Sequence, residues 1–314
     1  MVSPKDLSIH QLEYFVAVAE EGQFTRAAER LHVAQPSISA QVRRLEQVLD
    51  TPLFHRGGGP VTLTDAGKEL LPLARRVLSD LAEINRGVTE VEGLRRGHVA
   101  IGATPSLGAT LLPAVLARFH HQHPGVSLTV TERDSRHLLE GLESGMLDLA
   151  LTIMPLRQPM LECLVLAIEE LVVVTAIDHV LADRHGIEIA DLRDVPMVMF
   201  REGYDLRSAT LAAFERAGFA PSVALEGVEM NSALSMVAAG LGAAIVPSIA
   251  ATGRSDLRVL RLHSPRFERE VGLVRRQDHA PSHAAAALSA EITAFLSQSG
   301  WPGDVPPDLR LVPG

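Results

Sequence analysis

The 314 residues are too many for one small core and, at 46% hydrophobic, hold enough apolar material for two or three compact units. Net charge is −9, but it is unevenly spread: residues 1–96 carry 12 Lys and Arg against 13 Asp and Glu, a balance of −1, whereas residues 97–314 carry 17 against 25, a balance of −8. A near-neutral segment can still bind a phosphate backbone if its basic residues share a face, and with no run of about eighteen uncharged apolar residues no transmembrane helix is expected.

His10–Glu20 predicts an amphipathic helix, with Leu12, Phe15, Val16 and Ala19 at helical spacing and Gly22 ending it. Phe24–Leu31 predicts a second, short helix whose Ala27, Ala28 and Leu31 permit a close crossing. A tight turn at His32-Val33-Ala34 follows. The third helix opens at Gln35-Pro36-Ser37, proline being favoured in a first turn where its missing N–H costs nothing. Ile38, Val42, Leu45 and Leu49 form its buried side; Ser37, Gln41, Arg43 and Arg44 form the other. The order suits a helix-turn-helix, although helical spacing alone fits an ordinary three-helix bundle equally well. Thr51–Arg56 and Val61–Thr64 flank Gly57-Gly58-Gly59-Pro60 and predict a β-hairpin wing with Arg56 at its base, within reach of a phosphate or the minor groove.

The runs Leu12-Glu13-Tyr14-Phe15, Phe24-Thr25-Arg26-Ala27-Ala28-Glu29-Arg30-Leu31, Gln35-Pro36-Ser37-Ile38-Ser39, Arg44-Leu45-Glu46, Pro52-Leu53-Phe54 and Leu63-Thr64-Asp65-Ala66-Gly67, in this order and spacing, resemble the LysR-type transcriptional regulators. The resemblance implies that the start of the third helix enters the major groove of double-stranded DNA. Gln35, Pro36 and Ser39, with Ser37 and Gln41 beside them, then face base edges; glutamine suits adenine, and serine either base edge. Thr25, Arg26, Arg43 and Arg56 would hold the backbone, which sets register rather than sequence. Ala40 and Gly59 depart from the family, which often has basic residues there. A shallower salt dependence than that of a basic-winged relative is expected.

From Leu70 the apolar residues Leu70, Ala74, Val77, Leu81, Ile84, Val88 and Val91 step by 4, 3, 4, 3, 4, 3, a heptad seam. Such a helix can pack on its own domain or on a second copy. The resemblance favours dimerisation through Leu70, Ala74, Val77, Leu81, Ile84 and Val88, and beyond that a dimer of dimers on two related half-sites. Pro72 implies a kink or a late helix start. Gly93–Gly97 reads as a hinge.

Strands at His98–Ala103, Val126–Glu132 and Leu147–Thr152 then alternate with helices at Leu107–Gln122 and Ser135–Ser144. A second set follows: Leu171–Thr175, Met197–Phe200, Asp205–Ala217, Val223–Glu226, Met230–Ala239 and Ala243–Pro247, before Glu270–Val274 and a closing helix Ala280–Gln298. The alternation predicts an α/β fold with a parallel, doubly wound sheet. Two lobes with crossovers near Glu169-Glu170 and Pro265-Arg266 are similar to periplasmic binding proteins, as the resemblance implies. The expected organisation is therefore a winged helix-turn-helix (1–65), a linker helix (66–93), a two-lobed periplasmic-binding-protein-like effector domain (97–299; lobe I about 97–169 and 267–299, lobe II about 170–266) and a loose, Pro- and Gly-rich tail (300–314).

Ligands in open α/β sheets sit beyond the carboxyl ends of the strands. Thr104 and Ser106 place two hydroxyls at a helix start, which suits a carboxylate, though a simple helix cap explains them equally well. Phe200, Arg201, Met230, Asn231 and Pro247 occupy other strand-end loops, with Arg201 the anion partner unless it is merely solvated. A small anionic or polar effector between the lobes is expected, with no cofactor and no metal. His120-His121-Gln122-His123 ends a helix, where imidazoles suit the dipole. Thr104 stands where a nucleophile elbow needs glycine, and Gly240-Leu241-Gly242 lacks the third glycine of a dinucleotide site. An enzyme or a solute-binding module is the alternative, but paired carboxylates, metal spacing and a nucleophile–base motif are missing from the sequence. Met1–His10 lacks a signal-peptide pattern, which favours the cytoplasm. Cys163, the sole cysteine, excludes an internal disulfide and a two-cysteine redox switch.

Overall fold

The computed structural model describes residues 7–55, 61–89, 97–154, 158–184, 186–263, 267–301 and 309–312. Arg56, the wing tip 57–60, residues 90–96 and Pro265-Arg266 lie outside those residues, as do the side chains of Ile84 and Val88. Contacts divide the chain into two units, Met1–Val91 with Gly141–Met146, and Glu92–Glu140 with Leu147–Gly314.

In the first unit, α1 (Ile9–Glu21) begins with a capping box that the helical pattern did not disclose. Ser8 Oγ accepts from the Gln11 N–H at 3.3 Å, and Gln11 Oε1 accepts from the Ser8 N–H at 2.9 Å. Gly22, at φ 64°, ends the helix in the left-handed region. Helices α2 (Phe24–Arg30) and α3 (Gln35–Leu49) cross α1 over a core of Phe15, Ala27, Ile38, Val42 and Leu45, all fully buried. Strands β1 (Phe54–His55) and β2 (Thr62–Leu63) pair antiparallel as the base of the wing. Glu46, on α3, ties the wing to that helix by accepting the Leu53 N–H at 2.9 Å and the Phe54 N–H at 3.4 Å.

Helix α4 (Asp65–Thr89) starts before Pro72 and carries it inside. Thr64 precedes it, with Oγ1 accepting from the Gly67 N–H and donating to Pro52 O. Gly67 is sterically required: a Cβ there would lie 2.2 Å from Leu53 O and 2.8 Å from Leu63 Cδ2. The heptad seam is divided. Ala74 is 1% exposed and joins the core of the first unit, with the half-buried Leu70 packed against that core. Val77 and its neighbour Leu73 are exposed instead, and Leu81 is half-buried.

In the second unit, β3 (Gly97–Ala103) pairs in parallel with β4 (Val126–Glu132) and β5 (Leu149–Met154). Helices α5 (Pro105–Thr110), α6 (Leu112–Gln122) and α7 (Ser135–Glu143) connect them. The single helix expected over Leu107–Gln122 is two helices, divided at Leu111 and restarted with Pro113 in the first turn. A 16-residue strand, β6 (Leu161–Ala176), then runs through both halves of the unit. After β7 (Gly186–Ile187) come β8 (Pro196–Phe200), α8 (Asp205–Arg216), the parallel partner β9 (Ser222–Val228), α9 (Met230–Ala238), β10 (Ala244–Pro247), the short α10 (Ser248–Ala251) and β11 (Leu257–Leu262). Strand β12 (Glu268–Arg276) returns to the first half, and α11 (His283–Ser299) closes it.

The sheet is mixed rather than parallel. Strands β10, β11 and β12 all run antiparallel to β6, and β12 also runs antiparallel to β5. Two cores result, built around Ile101, Phe119, Leu151, Val271 and Leu288, and around Val174, Met197, Phe200, Phe214 and Val246. On β6, Ala167 belongs to the first core and Leu171 to the second; Phe267, just before β12, belongs to the second and Val271, on β12, to the first. The chain thus crosses between lobes through the paired residues Ile168–Glu170 and Glu268–Glu270. The segment expected to be a loose tail is corrected. Trp301 is 3% exposed within the first lobe's core, and β13 (Arg310–Leu311) adds to β6 opposite Ile168 and Ala167. Pro and Gly composition speaks against regular structure, not against burial of a large aromatic.

Candidate functional site

Two surfaces carry the side chains singled out in the sequence. On the first unit, Gln35, Pro36 and Ser37 are exposed in the opening turn of α3, with Ser39 half-exposed one turn on. Gln35 Nε2 donates to Ser39 Oγ at 2.9 Å, so these two polar groups are held together rather than projecting separately. Gln41 is half-buried. Thr25 and Arg26 are exposed at the start of α2, and Arg43 and Arg44 are exposed on α3. Among the described residues Arg26, Arg43 and Arg44 form no ion pair. In contrast, Arg30 is held by Glu20 and Glu21, and Arg75 by Glu20. Arg26 of α2 and Arg43 and Arg44 of α3 are thus available to a polyanion.

On the second unit, the ends of β3 and β8 face each other across a nearly closed cleft. A cavity of about 10 Å³ remains, lined in part by Thr104, Ser106, Asp134, Tyr204, Asp205 and Arg269. That is space for about one water molecule. Thr104 precedes α5 without capping it, and its Oγ1 is buried with no hydrogen-bond partner among the described residues. Ser106 Oγ accepts from Arg269 Nη2 at 2.8 Å. Arg269 Nε in turn donates to Glu169 Oε1 at 2.7 Å. Glu169 is fully buried. Burial pushes its carboxyl above the usual range, opposed by the Arg269 charge and hydrogen bond and by the Ile249 N–H. Tyr204 stacks on Phe200 with ring centroids 5.2 Å apart, and its buried hydroxyl has no partner. Burial, then the charges of Glu229 and Glu132, hold that hydroxyl well above the ordinary tyrosine range.

Two contacts latch the lobes. Ser135 Oγ donates to Asp205 Oδ2 at 2.5 Å, and Arg201 Nη2 lies 3.5 Å from Asp134 Oδ2. Burial pushes the Asp134 carboxyl up, but hydrogen bonds from the His137 ring and backbone N–H, with the charges of His137 and Arg201, more than offset this and leave it below its usual range. Arg201 is not a free anion partner. Its Nε donates to Glu229 Oε1 at 2.7 Å, and its guanidinium lies over the Tyr204 ring at 5.4 Å. The helix that Thr104 and Ser106 introduce is also only six residues long and opens with Pro105, which has no N–H. Both reasons for expecting an anion are weakened.

Of the residues expected at strand ends, Thr104 and Ser106 line the cavity, and Phe200 and Arg201 pack around Tyr204. Met230 is buried in the second core, Asn231 is exposed, and Pro247 is buried at the end of β10; none of the three lines the cavity. Asp134, Ser135, Glu169, Tyr204, Asp205 and Arg269 are members that the sequence did not single out. The Arg269–Ser106 bond spans 163 residues, so no local motif announces it. Among the described residues no helix is long and apolar enough to cross a membrane, and no cluster of three or more His, Cys, Asp or Glu could hold a metal ion.

Comparison with known proteins covers both surfaces. The profile of the LysR substrate binding domain matches residues 92–297, and that of the bacterial regulatory helix-turn-helix protein, lysR family, matches residues 9–68. An uncharacterized HTH-type transcriptional regulator of Bacillus subtilis is 34% identical over 291 residues, covering 92% of this chain and 99% of its own. A probable hydrogen peroxide-inducible genes activator of Streptomyces viridosporus is 34% identical over 300 residues, covering 93% of this chain and 94% of its own. Among solved structures, full-length CbnR complexed with its target DNA superposes with a TM-score of 0.65 at 26% identity, covering 93% of this chain and all (100%) of that one.

Proposed function

The chain belongs to the LysR family of DNA-binding transcription regulators with an effector-binding domain, and from that membership we propose that it reads duplex DNA through the opening turn of α3 and responds to a small polar effector held between the two lobes. The observation that carries the first part is the exposed Gln35–Ser39 pair, flanked by three arginines without carboxylate partners. A glutamine held by a neighbouring hydroxyl presents its amide in a fixed orientation, which is what discrimination at a base edge requires. Arg26, Arg43 and Arg44 supply phosphate contacts that set register.

The proposed dimer uses the exposed Val77, with Leu73 taking the place of the buried Ala74, and continues through Leu81, Ile84 and Val88. A two-fold dimer, or a pair of dimers, matches two related half-sites. Binding to DNA implies a cytoplasmic location. The relatives are regulators, and this chain is read as a regulator rather than an enzyme. A redox-sensing alternative, raised by the name of the Streptomyces relative, is not favoured. Cys163 is the sole cysteine, and burial and then Glu162 push its thiol up, away from the reactive thiolate.

The test is anisotropy with a promoter fragment from the chain's own locus against random duplex. Gln35→Ala is expected to lose about 1–3 kcal/mol of discrimination, whereas Arg43→Ala weakens all duplexes alike and lowers the salt slope by about one. Equal discrimination by Gln35→Ala and the native chain would refute the reading of α3.

A further inference from the structure

Carboxylates outnumber cations around the cleft. Asp134 and Asp205 line it, Glu169 is buried behind Arg269, and Glu132 and Glu229 both act on the Tyr204 hydroxyl. Against these five carboxylates stand Arg201 and Arg269, and each guanidinium already holds a carboxylate, Glu229 and Glu169 respectively. The neighbouring cations do not redress the balance. Arg207 pairs with Glu226, Arg133 is exposed and donates to the Glu132 carbonyl, and the His137 ring leans on Asp134. Asp205 has the neutral Ser135 hydroxyl as its only side-chain partner among the described residues. Independently of these charges, two residues lining the same cavity carry buried hydroxyls with no partner among the described residues. Thr104 Oγ1 and the Tyr204 hydroxyl belong to residues 5% and 4% exposed, so each is a buried polar atom waiting for a ligand group.

We propose that the effector is a compact organic cation, bearing a protonated amine or a guanidinium. Asp205 and Asp134 accept its N–H groups, and the Thr104 and Tyr204 hydroxyls meet its remaining polar atoms. The proposal rests on the reading of this cleft as the effector site. A molecule larger than one water enters only if the Ser135–Asp205 and Arg201–Asp134 contacts part. A cation then takes over both aspartates as their new partner. An anion leaves Asp205 without one and Asp134 with His137 alone, and adds a further negative charge to the same space.

The experiment is calorimetric titration of the full chain with 1,4-diaminobutane and agmatine, and with succinate and 2-oxoglutarate, at near-neutral pH. At least one amine is expected to bind and neither dicarboxylate. Asp205→Asn, which keeps the shape and the Ser135 contact, is expected to weaken the amine by about thirtyfold or more. Glu132→Gln, on the exposed rim, gives a smaller loss and serves if Asp205→Asn melts early. Failure of both amines to bind overturns the proposal. Dicarboxylate binding that Thr104→Val abolishes overturns the charge assignment while keeping the cleft. Amine binding that neither Thr104→Val nor Asp205→Asn weakens places the ligand elsewhere and overturns the cleft reading with it.

Discussion

Replacing Glu169 by glutamine tests the arrangement beneath the cleft most directly. The Glu169 side chain is 0% exposed and that of Arg269 is 10% exposed, so the pair sits away from water. Glutamine keeps the volume and an acceptor oxygen for Arg269 but removes the negative charge that compensates the guanidinium. Removing one partner of a buried ion pair costs about 3–5 kcal/mol, because the remaining charge is left uncompensated. For a unit of this size each kcal/mol lowers the melting temperature by about 2–4 °C, so the effector unit should melt about 6–20 °C earlier. Scanning calorimetry on the full chain isolates the effect: the core of the first unit shares no residue with the pair, and its transition should stay in place. The double substitution Glu169→Gln with Arg269→Met should recover most of the loss, since an apolar replacement of a buried pair is often neutral. The Ser106 hydroxyl then loses its partner, a residual deficit of about 1 kcal/mol. If Glu169→Gln melts within a degree of the native chain, the pair is not the charged unit described above. If the double substitution is as damaging as the two single ones together, the coupling argument fails.

Three further outcomes follow from the packing. Gly67→Ala forces a methyl into Leu53 O and Leu63 Cδ2, and should destabilise the first unit by about 1–3 kcal/mol or more; chemical denaturation would read this, and an unchanged midpoint would show that α4 can shift freely there. Trp301→Ala should cost the second unit about 3–5 kcal/mol by thermal melting, whereas a loss below about 1 kcal/mol would contradict the burial of Trp301 in that core. Asp134 gives a pH signature. Its folded pKa lies below its ordinary value of about 3.9, so its contribution is fully present above that pH and disappears as the pH falls through the lower, folded value. The gap in melting temperature between the native chain and Asp134→Asn should therefore close below about pH 4; a gap that persists unchanged to lower pH would contradict the assignment.

The first unit was legible because its signals are local. The apolar period of α1 and α3, Pro36 in a first turn and the small residues of α2 all act within one or two helical turns, and the observed boundaries lie within a residue or two of those read from them. The seam of α4 was legible as a period but not as a partner choice. A repeat of 4 and 3 describes a stripe, and only the packing of Ala74 in the core of the first unit tells which part of the stripe is already used. In the second unit the alternation of strand and helix was legible, but strand direction was not. Half of β6 was missed because Glu162, Glu169 and Glu170 interrupt its apolar run. The site follows the same division. Thr104 and Ser106 follow a strand end and were found by that rule, and Arg201 was visible as a charge. Its partners Glu229 and Asp134, and the Glu169–Arg269 pair 100 residues apart, become neighbours only once β6 and β12 have crossed.

The crossing also separates the contacts that must break for a ligand to enter from those that need not. Glu169 and Arg269 are register partners on the two strands that join the lobes, so parting of the lobes would not need to break their pair or the Arg269–Ser106 bond. The Ser135–Asp205 and Arg201–Asp134 contacts join opposite lobes and must open. The first is a charge-assisted hydrogen bond worth about 1.5–3 kcal/mol. The second, at 3.5 Å with Arg201 one-third exposed, is worth less, on the order of 1 kcal/mol. Carrying a two-state equilibrium from 1:99 to 99:1 takes about 5.5 kcal/mol of differential affinity. The latches are therefore weak enough for one small ligand to overcome, provided that it re-partners the aspartates it exposes. Because a ligand shifts an equilibrium only through interactions that differ between the two states, the proposed cation acts through Asp134 and Asp205, the groups whose partners change.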